Sequence, residues 1–270
     1  MNFADITFDA NEQLLLKNLR PIDEEFYNEM DKSFWDASHA HLSFVEWKEV
    51  LASSGYEVNR IRRNVNMRTM RQFFYEGEYI TVEIGTLDPS WLTNEFSLGA
   101  LGVDNLAKQN FEEKNYAMYF FAEQNLFAID YFHKHYEKIA IEDRYKAFRD
   151  MYMYCNYGFD LFDKEVLSSV LELSNNRKAI QELKKKGVGN TLTIYRGMGD
   201  RSTPLEDSYS WTLSLGTARR FAHFFGEGKV YQAKVNLEDI LDYVTERNEE
   251  EILVKNESIK ELELIEGFEN

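Results

Sequence analysis

At Lys184-Lys185-Lys186-Gly187 the apolar residues of this chain change period. Upstream, from about Phe44, the spacing is mostly helical: Tyr116, Tyr119, Phe120, Leu126, Phe127 and Tyr131 recur in one stretch, and Val166, Leu167, Val170, Leu171 and Leu173 in another. Downstream, residues 191–197, 229–235, 251–255 and 261–265 read as strands. Basic residues in a last turn, then glycine, make a helix stop. Between the first two strands, Gly216 to Phe225 reads as a helix with Ala218, Phe221, Ala222 and Phe225 on one side. Within the helical part, residues 79–85 form one strand-like interruption, a hairpin or an edge. The expected fold class is α+β: a mainly helical N-terminal region, residues 1–150, packed on a compact sheet that begins near residue 190.

With 270 residues and 44% apolar content the chain can bury a proper core. Its single cysteine, Cys155, excludes an internal disulfide, and no cysteine and histidine spacing of the zinc kind occurs; both fit a reducing cytoplasm. The N-terminal residues carry no basic stretch before an apolar core and no later run is long enough to span a bilayer, so neither signal peptide nor membrane anchor is expected. A net charge of −16 opposes general attraction to phosphate backbones or anionic lipid. Charge is uneven, however: Arg60, Arg62, Arg63, Arg68 and Arg71 cluster without an acid between Asn59 and Phe74. The favoured reading of that cluster is an amphipathic helix whose arginines pair with acids elsewhere; the other is a local anion-binding face, a nucleic-acid candidate. The aromatic stripe from Tyr116 to Tyr136 is read as core. His133 and His135, two apart on a helix, face different ways and do not share a metal.

Three stretches of the C-terminal part carry chemistry. Residues 194–197 end a strand in Tyr195-Arg196-Gly197, where a guanidinium offers a planar fork of donors for a phosphate and glycine admits a close approach to the backbone. In Ser210-Trp211-Thr212 both hydroxyls point to one strand face and the indole to the other. In Glu249-Glu250-Glu251 an extended backbone would put the outer carboxylates on one face with α-carbons roughly 6.5 Å apart. Carboxylates that close repel, which raises the proton affinity of one and suits a division between charge stabiliser and base. Each stretch alone also has an ordinary structural reading: an ion pair before a turn, a core strand, a solvated acid run.

Together and in this order, they resemble the arginine–serine–glutamate class of ADP-ribosyltransferases: an aromatic-Arg-Gly strand, a Ser-x-Ser/Thr strand trailed by Ala218 and Phe221, and a Glu-x-Glu strand. The resemblance covers about residues 190–265. Trp211 and Thr212 replace the more familiar Thr and Ser, and no aromatic stands three residues before Glu249. It implies a mixed β-sheet catalytic core within residues 151–270, with NAD as substrate and no metal. By similarity, Glu251 holds the ribose 2′-hydroxyl and stabilises the cation formed as nicotinamide leaves, and Ser210 orients Glu251. Arg196 clamps a phosphate, the Gly197 backbone holds the nicotinamide amide, Thr212 lines the same pocket, and Glu249 activates the acceptor. A first glutamate in Glu-x-Glu is associated with arginine acceptors, which slightly favours protein arginine over an RNA or DNA base. A toxin or effector with an inhibitory partner protein fits the family. NAD glycohydrolysis and a non-enzymatic binding module are the rival readings.

Overall fold

A computed structural model of the chain describes residues 16–65, 72–93, 99–122, 127–155, 162–199, 202–224 and 228–267. Its contacts divide into two units, residues 1–156 and 157–270. The first contains β1 (Leu19–Pro21), α1 (Glu24–Glu29), α2 (Phe44–Ser53), β2 (Ile61–Asn64), β3 (Phe73–Glu76), β4 (Thr81–Glu83), α3 (Pro89–Leu92), α4 (Ala100–Glu112), α5 (Tyr116–Ala122), α6 (Ala128–His135) and α7 (Ile141–Tyr154). Because α7 runs across residue 150, a boundary at 150/151 would cut a helix, and the division falls after it.

Helical expectation fails over residues 61–64 and 73–76, where β2 and β3 pair antiparallel inside a four-stranded sheet of order β1-β2-β3-β4. The cause is burial of β3 on both faces. Phe73 and Tyr75 join Trp47 and Leu51 of α2 in one cluster, while Phe74 meets Phe127 edge-to-face at 5.7 Å. A strand covered on both sides loses its alternation and cannot be told from a short helical run. The interruption expected over 79–85 contains the edge strand β4, hairpinned to β3. Asp104 of α4 pins that hairpin by accepting the N–H groups of Glu78, Tyr79 and Ile80 at 3.0, 2.8 and 3.1 Å.

The aromatic stripe is core, with Tyr116, Tyr119, Phe120, Phe127 and Tyr131 all buried. Leu126 lies outside the described residues. His135 is buried among these rings, stacked on Tyr79 at 5.0 Å with Nε2 3.2 Å from the Glu78 carbonyl. Burial holds its pKa down to about 4. A base whose pKa is depressed on folding leaves stability intact above its unfolded value and erodes it as pH falls toward the folded one. Between pH 6.5 and 5 the chain should therefore lose about 1.5 kcal/mol through His135 alone. Urea unfolding of the wild type and of His135→Phe across that window checks this: equal slopes against pH would remove His135 from the account.

The second unit contains α8 (Lys164–Glu172), α9 (Arg177–Lys185), β5 (Thr191–Met198), β6 (Ser210–Thr212), α10 (Leu215–Phe224), β7 (Lys229–Asn236), β8 (Ile240–Val244), β9 (Glu251–Val254) and β10 (Lys260–Gly267). The stop after α9 is a Schellman turn: Gly187 sits at φ +80°, its N–H reaches the Lys184 carbonyl at 3.0 Å, and Val188 N–H reaches that of Leu183 at 3.4 Å. Six strands follow in the order β10-β7-β5-β6-β9-β8, and every pairing is antiparallel. The mixed sheet is thus corrected to an antiparallel one. The segment β6-α10-β7 has the strand-helix-strand form of a parallel crossover, but β5 lies between its two strands and pairs antiparallel with both. Ala179 and Leu183 of α9 cover one sheet face, against Ile194, Trp211 and Ile252. Ala218 and Ala222 of α10 cover the other, against Val230 and Tyr195. Phe221, expected beside them, is 41% exposed, and Phe225 lies outside the described residues.

Candidate active site

The adjacent strands β5, β6 and β9 carry the three stretches singled out from sequence. Register sets their geometry. Thr212 faces Glu251 and Ser210 faces Leu253 across β6 and β9, so Ser210 and Glu251 are diagonal neighbours on one face. The Ser210 hydroxyl donates to the Glu251 carboxylate. Glu251 is 5% exposed, the first residue of a strand buried along its length. Trp211 points the other way, into the core under α9.

Arg196 joins this pair differently from expectation. Regular pairing of β5 with β7 puts Arg196 on the face of Ile194, opposite that of Ser210 and Glu251. Its guanidinium nevertheless reaches the same place, because β5 and β6 are joined only at Tyr195 and Thr212 and part beyond them. There Nη1 donates to the Ser210 carbonyl at 2.6 Å and Nη2 to that of Thr203 at 3.1 Å. Ser210 is the meeting point, holding Glu251 by its hydroxyl and Arg196 by its carbonyl.

Gly197 also has a reason in the fold. A Cβ there would lie 1.8 Å from the Ala218 carbonyl oxygen and 2.7 Å from the Ala222 nitrogen. The close approach that this glycine permits is that of the α10 backbone.

The glutamate run is not extended. Asn248 and Glu250 have φ of 55° and 48°, and β9 begins only at Glu251. The shared strand face expected for Glu249 and Glu251 is replaced by a turn whose shape is fixed from three sides. Thr212 Oγ1 donates to the Glu249 carbonyl at 2.6 Å. Leu213 N–H donates to the Glu250 carbonyl at 3.0 Å. Lys186 draws the Glu250 side chain away at 2.7 Å and also bonds Tyr243. Thr212 is itself buried, so its hydroxyl shapes the loop that carries Glu249.

The two outer carboxylates still influence each other. Burial, and next the charge of Glu251, push the Glu249 carboxyl above the ordinary glutamate value, against the opposing pull of Arg247 and Arg220. A half-buried acid of raised proton affinity beside a buried carboxylate is an arrangement that acid–base chemistry can use. Arg220 of α10 places Nη2 3.2 Å from Glu249 Oε1. Nothing in its sequence surroundings marks it, since the contact joins residues 29 apart in different elements.

Among the described residues, the arginines of the cluster in the first unit are engaged with acids. Arg60 pairs with Glu57 at 3.0 Å, Arg62 with Glu76 at 2.6 Å and Arg63 with Asp23 at 3.3 Å. Arg63 also lies over the Phe26 ring at 4.5 Å. Arg68 and Arg71 fall outside the described residues. The pairing with acids expected of an amphipathic helix is present on a strand and its approach turn instead.

Among the described residues no helix is long and apolar enough to cross a membrane. Compared with known proteins, the chain matches no family profile, no curated protein and no solved structure.

Proposed function

We propose that this chain is a mono-ADP-ribosyltransferase that cleaves the bond between nicotinamide and ribose in NAD and transfers ADP-ribose to arginine in a protein. The observation that carries the reading is the Ser210 hydroxyl bonded to the buried Glu251 carboxylate, with Arg196 anchored on the carbonyl of the same serine. The second unit is accordingly read as an ADP-ribosyltransferase-like core.

The residues suit the substrate chemically. As nicotinamide departs, positive charge grows on the ribose, and a carboxylate in a site of low dielectric stabilises that charge far more than it would in water. Glu251 supplies the carboxylate. Ser210 fixes its orientation by occupying one oxygen, so that no reorganisation is needed as the charge appears. Arg196 provides fixed positive charge for a phosphate at the opening between β5 and β6. Glu249 takes the proton of the incoming guanidinium, for which its raised proton affinity suits it. The favoured acceptor follows from Glu249 already holding a guanidinium; among the described arginines of the other candidate surface, Arg60, Arg62 and Arg63 are each paired with an acid.

The test is incubation with labelled NAD, alone and with cell lysate, following label into free ADP-ribose, protein and nucleic acid. Protein label released by hydroxylamine supports the reading; label lost with ribonuclease would overturn the acceptor, and intact NAD would overturn the enzyme. Glu249→Ala should separate the two half-reactions. Transfer to protein falls by about 100-fold or more, while slow hydrolysis to free ADP-ribose persists, because water needs less help from a base than a guanidinium does. In the wild type the acid limb of transfer should lie above the ordinary glutamate range, since the base works only when deprotonated and its pKa is raised. An equal loss of both reactions in Glu249→Ala would refute this division of roles.

A further inference from the structure

We propose that Arg220 is a built-in acceptor, and that the protein transfers ADP-ribose from NAD onto this guanidinium of its own α10. The inference rests on the transferase reading above. Glu249 holds the Arg220 guanidinium at 3.2 Å, which is the chemical group that an arginine-directed reaction consumes. Arg220 is 57% exposed and Glu249 only 20%. The guanidinium therefore approaches the carboxylate from the solvent side, as an external acceptor must. The backbone that carries Glu249 is fixed, because Thr212 and Leu213 hold the two carbonyls of its turn.

The neighbouring arginine provides the contrast. Arg219 donates from Nε to both oxygens of Glu266, at 3.0 and 2.9 Å, and its Nη2 bonds the same carboxylate. Two consecutive arginines on one helix are thus sorted by the fold. One is clamped by a carboxylate of the edge strand β10, and the other rests on the proposed base.

The transfer balances without a further reactant. The bond between ribose and the nicotinamide nitrogen breaks, and nicotinamide leaves as a neutral molecule with the bonding pair. One Nη of Arg220 gives a proton to Glu249, and its freed lone pair forms the new bond to the ribose carbon. The substituted guanidinium keeps one positive charge, and Glu249 passes its proton to water. Because acceptor and base lie in one chain, the reaction is first order in protein.

The experiment incubates the purified full chain with labelled NAD and no added acceptor, measures nicotinamide release, and maps the modified residue by a fragmentation method that separates Arg219 from Arg220. Label on Arg220, at a fractional rate that does not change on dilution, is the expected result. Arg219→Lys should retain the label, and Arg220→Lys should lower it at least about tenfold, since an ammonium cannot form the same linkage. Nicotinamide release with label only in free ADP-ribose, or on an arginine other than Arg220, would overturn the proposal and leave the transferase standing. Absence of nicotinamide release would sink both.

Discussion

Glu251→Gln should abolish nicotinamide release and transfer together, by about 100- to 1000-fold, while the fold survives. The amide keeps the volume of the carboxylate, and its oxygen can still accept the Ser210 hydroxyl, so β6 and β9 keep their diagonal contact. What disappears is the charge. A loss of that size corresponds to about 3–4 kcal/mol of transition-state stabilisation, within the range expected for a preorganised group aimed at developing charge. Since burying a carboxylate is costly in itself, the variant should unfold at a temperature no lower than the wild type. Ser210→Ala should fall short of this loss, because it frees the orientation of Glu251 without removing its charge. Nicotinamide release and thermal unfolding, measured on both variants, check the account. Glu251→Gln activity within about tenfold of wild type would mean that the charge of Glu251 is not what drives the reaction.

Much of this site is legible in the sequence because its strands alternate cleanly. Ile194 and Trp211 point into the core, and Ser210 and Thr212 point away from it, as a period of two requires. The same holds for the stop after α9, where a lysine-rich last turn and Gly187 leave few alternatives. Other parts were hidden for identifiable reasons. β3 buries Phe73, Phe74 and Tyr75 together, and β1 is three residues long, so neither shows a period. β8 carries Asp242 amid apolar residues, which breaks its pattern, and is reached from β7 through the three-residue turn Leu237–Asp239, whose Asn236 and Asp239 were the available hint. Glu250 occupies a left-handed conformation uncommon for its type, which no local pattern announces; Asn248 two residues earlier, a residue that tolerates this region, was the available hint. The path of the Arg196 guanidinium depends on where β5 and β6 part, a property of the sheet and not of either strand.

Gly197→Ala separates two explanations of one residue. If Gly197 is needed only so that NAD can approach the backbone, alanine should fold normally and bind NAD poorly. The packing of α10 predicts the opposite order of effects. A methyl group 1.8 Å from the Ala218 oxygen cannot be accommodated by turning a side chain, because the three atoms nearest to it all belong to the helix backbone. The helix must move off β5, which opens the cluster of Ala218, Ala222 and Val230 and displaces Arg220 from Glu249. Overpacking of this kind costs about 3 kcal/mol or more, enough to lower the melting temperature by on the order of 10 °C. Gly216, on the same helix, provides an internal control. A Cβ there would find nothing closer than the Ser214 hydroxyl at 3.7 Å, so Gly216→Ala should be neutral or should stabilise by up to about 1 kcal/mol. Calorimetry of the two alanine variants, with and without saturating NAD, reads both effects. A Gly197→Ala protein that melts with the wild type yet no longer gains stability from NAD would show that the ligand, and not α10, demands glycine at this position.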